Sequence, residues 1–187
     1  MNKRRVSQRG FTLLEIMITI SIMGIIGILI SQVIITTTRV NTKTELIKDM
    51  KQNGQFAMDV MTRMIRSTNE ISSACATTGS TDTSLILTNP NGESTTFGCF
   101  FDAQSSITRI ASMSAYSGLS DYLTSQNVTL GGTSCEDPDM SLQFTCTSSP
   151  DQPSRIKILY TLRQIGAAGD SFNTAKQSFE STVSVRN

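Results

Sequence analysis

The sequence predicts an α+β chain in which one long helix precedes an antiparallel sheet. Three observations lead there. Residues 16–38 carry no charged side chain and are predominantly apolar. From residue 40 to residue 65 the apolar positions recur at steps of three, four and seven, the spacing of one helix face. From residue 84 onward the pattern becomes short alternating runs separated by turn residues.

The first element is the apolar run. Residues 16–35 form a 20-residue stretch that, at about 1.5 Å per residue, spans roughly 30 Å, the hydrocarbon thickness of a bilayer. Lys3, Arg4, Arg5 and Arg9 precede it with no acid among residues 1–10. Such a basic flank stays in the cytoplasm, so the remainder is expected on the far side. The run is longer than a secretory signal's apolar region, and no small-x-small cleavage site follows it. An uncleaved signal anchor accounts for the length and the charges but gives no reason for Glu15, a carboxylate at the front edge of the run. A carboxylate inside a bilayer costs about 2.5–3.5 kcal/mol unless it is paired or lies at the interface.

The helix is expected to continue. Val40, Ile47, Met50, Ala57, Met61 and Met64 make a stripe, widened by Leu46, Val60 and Ile65. Lys43, Glu45, Lys48, Asp49, Lys51, Asp59, Arg63 and Arg66 occupy the other faces. No proline interrupts the stretch, which predicts one helix to about Ser67, with Gly54 as its weak spot. The methionines suit flexible packing better than a ligand groove.

The β region follows a Ser/Thr-rich loop. SLILT at 84–88 and STTFGCFF at 94–101 flank NPNGE, a hairpin signal. Met140, Leu142, Phe144 and Cys146 alternate, as do Ile156, Ile158, Tyr160 and Leu162. Phe179, Val183 and Val185 share one side of the closing run. Residues 105–130 show no clean period and read as loop with one short strand or helix. Arg155, Lys157 and Arg163 share a strand face, a solvated face or a nucleic-acid stripe.

Composition removes several functions. The chain has no histidine, so no Ser-His-Asp or Cys-His site and no His-ligated zinc site can be built. Neither phosphate-binding glycine motif is present. Residues 72–187 hold 6 basic and 10 acidic side chains, a net of −4, which disfavours DNA as a partner. Cys75, Cys99, Cys135 and Cys146 contain no C-x-x-C, and an even number beyond a membrane segment points to two disulfides. Three pairings exist; the two short loops, Cys75–Cys99 and Cys135–Cys146, are the expected one.

GFTLLEIMITISIMGIIGILI, residues 10–30, strongly resembles the class III signal of type IV pilins and type II secretion pseudopilins. The resemblance implies cleavage between Gly10 and Phe11 by a prepilin peptidase, N-methylation of Phe11, and an assembly role for Glu15. In that family the glutamate of one subunit meets the new α-amino group of a neighbour inside a dry helical bundle. The implied fold is a lollipop, a long helix whose second half packs on an antiparallel sheet. The implied partners are other pilin or pseudopilin subunits, the peptidase, an inner-membrane assembly platform and membrane lipid. The implied location is the inner (cytoplasmic) membrane, single-pass with the C-terminal domain extracytoplasmic, and then the pilus or pseudopilus fibre. No catalytic residue and no obligatory cofactor is implied.

Many major pilins kink at a proline in the position held here by Gln32, and this departure tilts the reading towards a minor subunit. QFAMDVMTRMIRSTNEI and the ending TVSVRN resemble J-type minor pseudopilins and W-type minor pilins. Some pseudopilins bind Ca²⁺ in a loop, and Glu136, Asp137 and Asp139 are the candidate ligands here. A solvated acidic turn is the plainer reading of those three. The resulting organisation is a leader at 1–10, a transmembrane assembly helix at 11–38, its amphipathic continuation at 39–71, and an exported β domain at 72–187. The rival reading is an extracytoplasmic binding protein on an uncleaved anchor.

Overall fold

The computed structural model describes residues 10–68, 70–71, 79–149, 152–165 and 175–185. It contains one helix, α1 (Leu13–Ser67, 55 residues), followed by antiparallel strands. Two compact units divide the chain, residues 1–42 and 43–187. The first is the apolar part of α1. The second holds the rest of the helix and all the strands.

Among the described residues ten strands form two sheets. β1 (Glu70–Ile71), β3 (Ser84–Thr88), β4 (Ser94–Asp102), β5 (Ile107–Ser114) and β6 (Ser120–Tyr122) run in the order β1-β3-β4-β5-β6. β10 (Lys176–Ser184), β9 (Gln152–Gln164), β8 (Gln143–Ser149) and β2 (Thr81–Asp82) form the second sheet in that order, and β7 (Val128–Thr129) also pairs with β9. The expected hairpin over 89–93 closes through Asn89 N to Glu93 O, with Gly92 in the left-handed region at φ 83°. The expected alternations hold. Leu142, Phe144, Cys146, Ile156, Ile158, Tyr160, Leu162, Val183 and Val185 are all buried.

Both sheets and the second half of α1 share one core. The helix contributes Met50, Ala57, Met61 and Ile65, and Leu85, Leu87, Phe97 and Ile110 come from the first sheet. Thr68 ends the helix, buried, with its Oγ1 donating to Thr88 O at 2.6 Å.

Gly54 corrects one expectation. It is buried, and a Cβ built there would fall within the ring of Phe179 on β10. Its carbonyl accepts a 2.6 Å hydrogen bond from Tyr160 Oη on β9, and Tyr160 stacks on Phe179 at 5.2 Å. Burial, and then the nearby Asp59 charge, push the Tyr160 phenol further above its ordinary pKa, so it remains a donor. The glycine is therefore the point where the helix closes on the second sheet. Alanine in an exposed helix interior would gain about 1 kcal/mol over glycine. Here the displaced ring costs about 1–3 kcal/mol. Gly54→Ala should lower stability by up to about 2 kcal/mol, measured as a lower urea midpoint; a raised midpoint would contradict this packing.

Residues 105–130 are a second correction. They hold β5, β6 and β7. β5 lacks a period because Ile107, Thr108, Arg109, Ile110 and Ala111 are all buried in succession. Arg109 is held by Asp102 Oδ2 at 2.9 Å and by the Thr124 carbonyl, with Tyr122 stacked 4.0 Å from its guanidinium carbon. Asp102 also accepts from Ser105 Oγ at 2.6 Å and Gln104 N at 3.0 Å. The Ser105 bond first, then Arg109, hold its carboxyl at about 2, below the ordinary 3.8. A carboxyl depressed in the folded state stabilises it above its unfolded pKa, and that contribution is lost as pH falls through the folded value. Unfolding midpoints should therefore drop between about pH 4 and pH 2. Asp102→Asn should flatten that window, and an unchanged slope would refute the assignment.

The disulfide pairing is a third correction. Cys99 of β4 is bonded to Cys135, with Cα atoms 5.6 Å apart, so neither Cys75–Cys99 nor Cys135–Cys146 forms. Cys146 is disulfide-bonded as well, and Cys75 lies outside the described residues. The reason is the path of the segment after β7. Leu130 N donates to Thr108 O, and Thr108 Oγ1 donates to Gly131 O, on the first sheet. That fastening carries Cys135 to Cys99 rather than back to Cys146, which faces the shared core from β8.

Candidate processing and assembly site

The start of α1 is built by its own sequence. Thr12 caps it, its Oγ1 accepting from Glu15 N at 3.3 Å and its carbonyl accepting from Ile16 N at 3.3 Å. This is the T-x-x-E signature of a helix start, a signal present in the sequence that the reading above passed over. Glu15 lies in the first turn, where a negative charge complements the helix dipole. It takes the cap bond through its backbone, and its side chain is exposed.

Gly10 and Phe11 directly precede the cap and are exposed, so Gly10, Phe11 and Glu15 lie together within six residues at one helix end. A Cβ added at Gly10 meets nothing within 4 Å. Nothing among the described residues requires a glycine there.

The helix behind them suits a bilayer. It is long and apolar enough to cross one, and Ile16, Ile18, Ile22, Ile25, Leu29 and Val33 are all exposed. Four of the hydroxyls that interrupt the run bond back within it. Ser21 donates to Met17 O, Ser31 to Gly27 O, Thr36 to Gln32 O and Thr38 to Ile34 O, at 2.8–2.9 Å. Such back-bonding removes the penalty of carrying a free hydroxyl into hydrocarbon.

The acidic loop is arranged differently from a cation site. Asp137 Oδ2 accepts from Thr133 N and Thr133 Oγ1, and its Oδ1 accepts from Asp139 N. These bonds, Thr133 N foremost, hold its carboxyl below the usual range. Among the described residues no three acidic or cysteine side chains gather as metal ligands. Asp137 thus spends both carboxylate oxygens on Thr133 and Asp139 and closes the turn.

Of the three basic residues on β9, Lys157 is paired with Glu180 at 2.8 Å, both half-exposed. Arg163 packs its guanidinium near Gly131. They do not form a continuous stripe of free cations.

A family model described as the prokaryotic N-terminal methylation motif matches residues 5–31. No curated protein and no solved structure matches the chain. The matched span begins among the basic residues before Gly10, takes in Gly10, Phe11, Thr12 and Glu15, and ends inside the apolar helix. The chain therefore carries at residues 5–31 the prokaryotic N-terminal methylation motif, the class III signal of type IV pilin and pseudopilin precursors.

Proposed function

We propose that this chain is a minor subunit of a type IV pilus or type II secretion-like filament. Residues 1–10 are a leader removed by a prepilin peptidase, and Phe11 becomes the N-methylated first residue. The helix first anchors the subunit in the inner membrane, single-pass, with the β domain outside the cytoplasm. An assembly platform then moves it into the fibre, where Glu15 pairs with the α-amino group of a neighbouring subunit. The role is structural and calls for no cofactor.

The observation that carries this reading is the methylation-motif match at 5–31. It is supported by Glu15, the single charged residue in the apolar stretch 11–38. The absence of proline at Gln32 supports a minor over a major subunit. Intact-mass and N-terminal mass spectrometry of the membrane-extracted protein tests the proposal. A chain beginning at methylated Phe11 is the expected result. A retained Met1 would instead establish an uncleaved anchor bearing an extracytoplasmic binding domain.

A further inference from the structure

Three of the four outer strands of the two sheets are very short. β1 and β2 have two residues each and β6 has three. The fourth, β10, has nine, with no proline or glycine, and it pairs with β9 without a register shift. Folds normally blunt an edge by keeping it short, bulged or proline-bearing. Among the described residues that protection is present at three edges, whereas β10 has only the charges of Lys176 and Glu180.

The ladder shows what β10 offers. Gln164 N donates to Ala175 O, and Val185 N donates to Ser154 O. In this register the odd-numbered residues 175 to 185 bond to β9, and the even-numbered ones turn their N–H and C=O groups outward. Lys176, Ser178, Glu180, Thr182 and Ser184 thus present a row of five backbone donors. The Ser178 carbonyl accepts from Gln177 Nε2 at 3.2 Å. Among the described residues nothing else occupies the backbone groups of that row. Phe179, beside it on the core face, is only partly covered.

We propose that the β10 edge is the docking site for an extended strand of a different filament subunit, which adds itself to the second sheet. This rests on the filament reading above. A second copy presenting its own β10 is excluded on two grounds. Full-length antiparallel self-pairing centres on Glu180 and sets two Glu180–Lys157 pairs opposite each other, like charge against like charge, which is unfavourable. Pairing of that kind is two-fold symmetric and closes, whereas a filament is built from contacts between unlike surfaces. The incoming strand carries an apolar residue that completes the cover of Phe179. It sets a basic residue beside Glu180 and an acidic one beside Lys176, which already faces Arg163 across the ladder.

Amide hydrogen exchange on the mature full-length chain, in detergent and in purified filaments, tests this. The amides of Lys176, Ser178, Glu180, Thr182 and Ser184 should exchange freely in detergent and slow by at least about tenfold in the fibre. Thr182→Pro removes one outward donor and leaves the β9 ladder intact. It should fold with a near-normal urea midpoint yet enter filaments poorly, whereas Ser181→Pro should lose stability. Unchanged exchange in filaments that contain the chain would overturn the proposal, as would normal incorporation of Thr182→Pro. A concentration-dependent dimer of the detergent-extracted chain through β10 would also overturn it. A wild-type chain that never enters a filament would overturn the filament reading, and the docking site with it.

Discussion

Gly10→Val should accumulate in the membrane as a precursor still carrying residues 1–10. The argument begins with open space. A Cβ at Gly10 has no neighbour within 4 Å, and the helix begins two residues later on its own cap. Among the described residues valine meets no clash, so a processing defect in this variant points to the peptidase's site. A peptidase must bring the carbonyl of residue 10 to its catalytic groups, and a displacement of about 1 Å at such a bond costs roughly 10²-fold in rate. Immunoblotting for the uncleaved form, alongside circular dichroism of the purified variant, separates the two effects. A folded and fully trimmed Gly10→Val would refute the cleavage assignment. Gly10→Ala, with one methyl, should fall between valine and wild type.

Glu15→Leu should be inserted and cleaved normally but fail to enter the fibre. Leucine removes the insertion cost of about 2.5–3.5 kcal/mol that a membrane carboxylate carries, so anchoring cannot suffer. The cap cannot suffer either, because Thr12 Oγ1 accepts from the backbone N–H of residue 15. What remains is the proposed pairing with a neighbour's α-amino group. Removing one member of a buried ion pair costs about 3–5 kcal/mol, since the other charge is left unpaired. That corresponds to a loss of incorporation of at least about a hundredfold. The fibre-to-membrane ratio of the mature chain measures it. Glu15→Gln keeps the shape and loses the charge, so it should resemble leucine. Wild-type incorporation of both variants would end the pairing account.

Much of the molecule was legible where one physical rule dominated. The membrane-length run, the helix stripe through Met50, Ala57 and Met61, and the alternation of β8, β9 and β10 all follow from burying one face of a periodic element. The methylation motif at residues 5–31 was legible because its residues are contiguous. β5 was hidden because Arg109 is buried and satisfied by Asp102 and Thr124, partners that the sequence does not place beside it. Gly54 was misread because helix propensity says nothing of an aromatic ring arriving from a strand 125 residues later. The disulfide was misassigned because short spacing was given more weight than the course of the chain after β7, which Thr108 and Gly131 determine.

The pairing of β2 with β8 has a consequence for the order of assembly. β3 to β6 pair with their immediate successors, so the first sheet is made of local contacts that close as soon as they are synthesised. The second sheet begins before them, at Thr81, and must wait for Thr145 to pair with it. Its last member, β10, brings the Phe179 ring to Gly54. A chain made from its N-terminus thus holds Met61 and Ile65 against half a core until its final strand arrives. Its vulnerable interval, with an apolar helix face uncovered, lasts until β10 has been made.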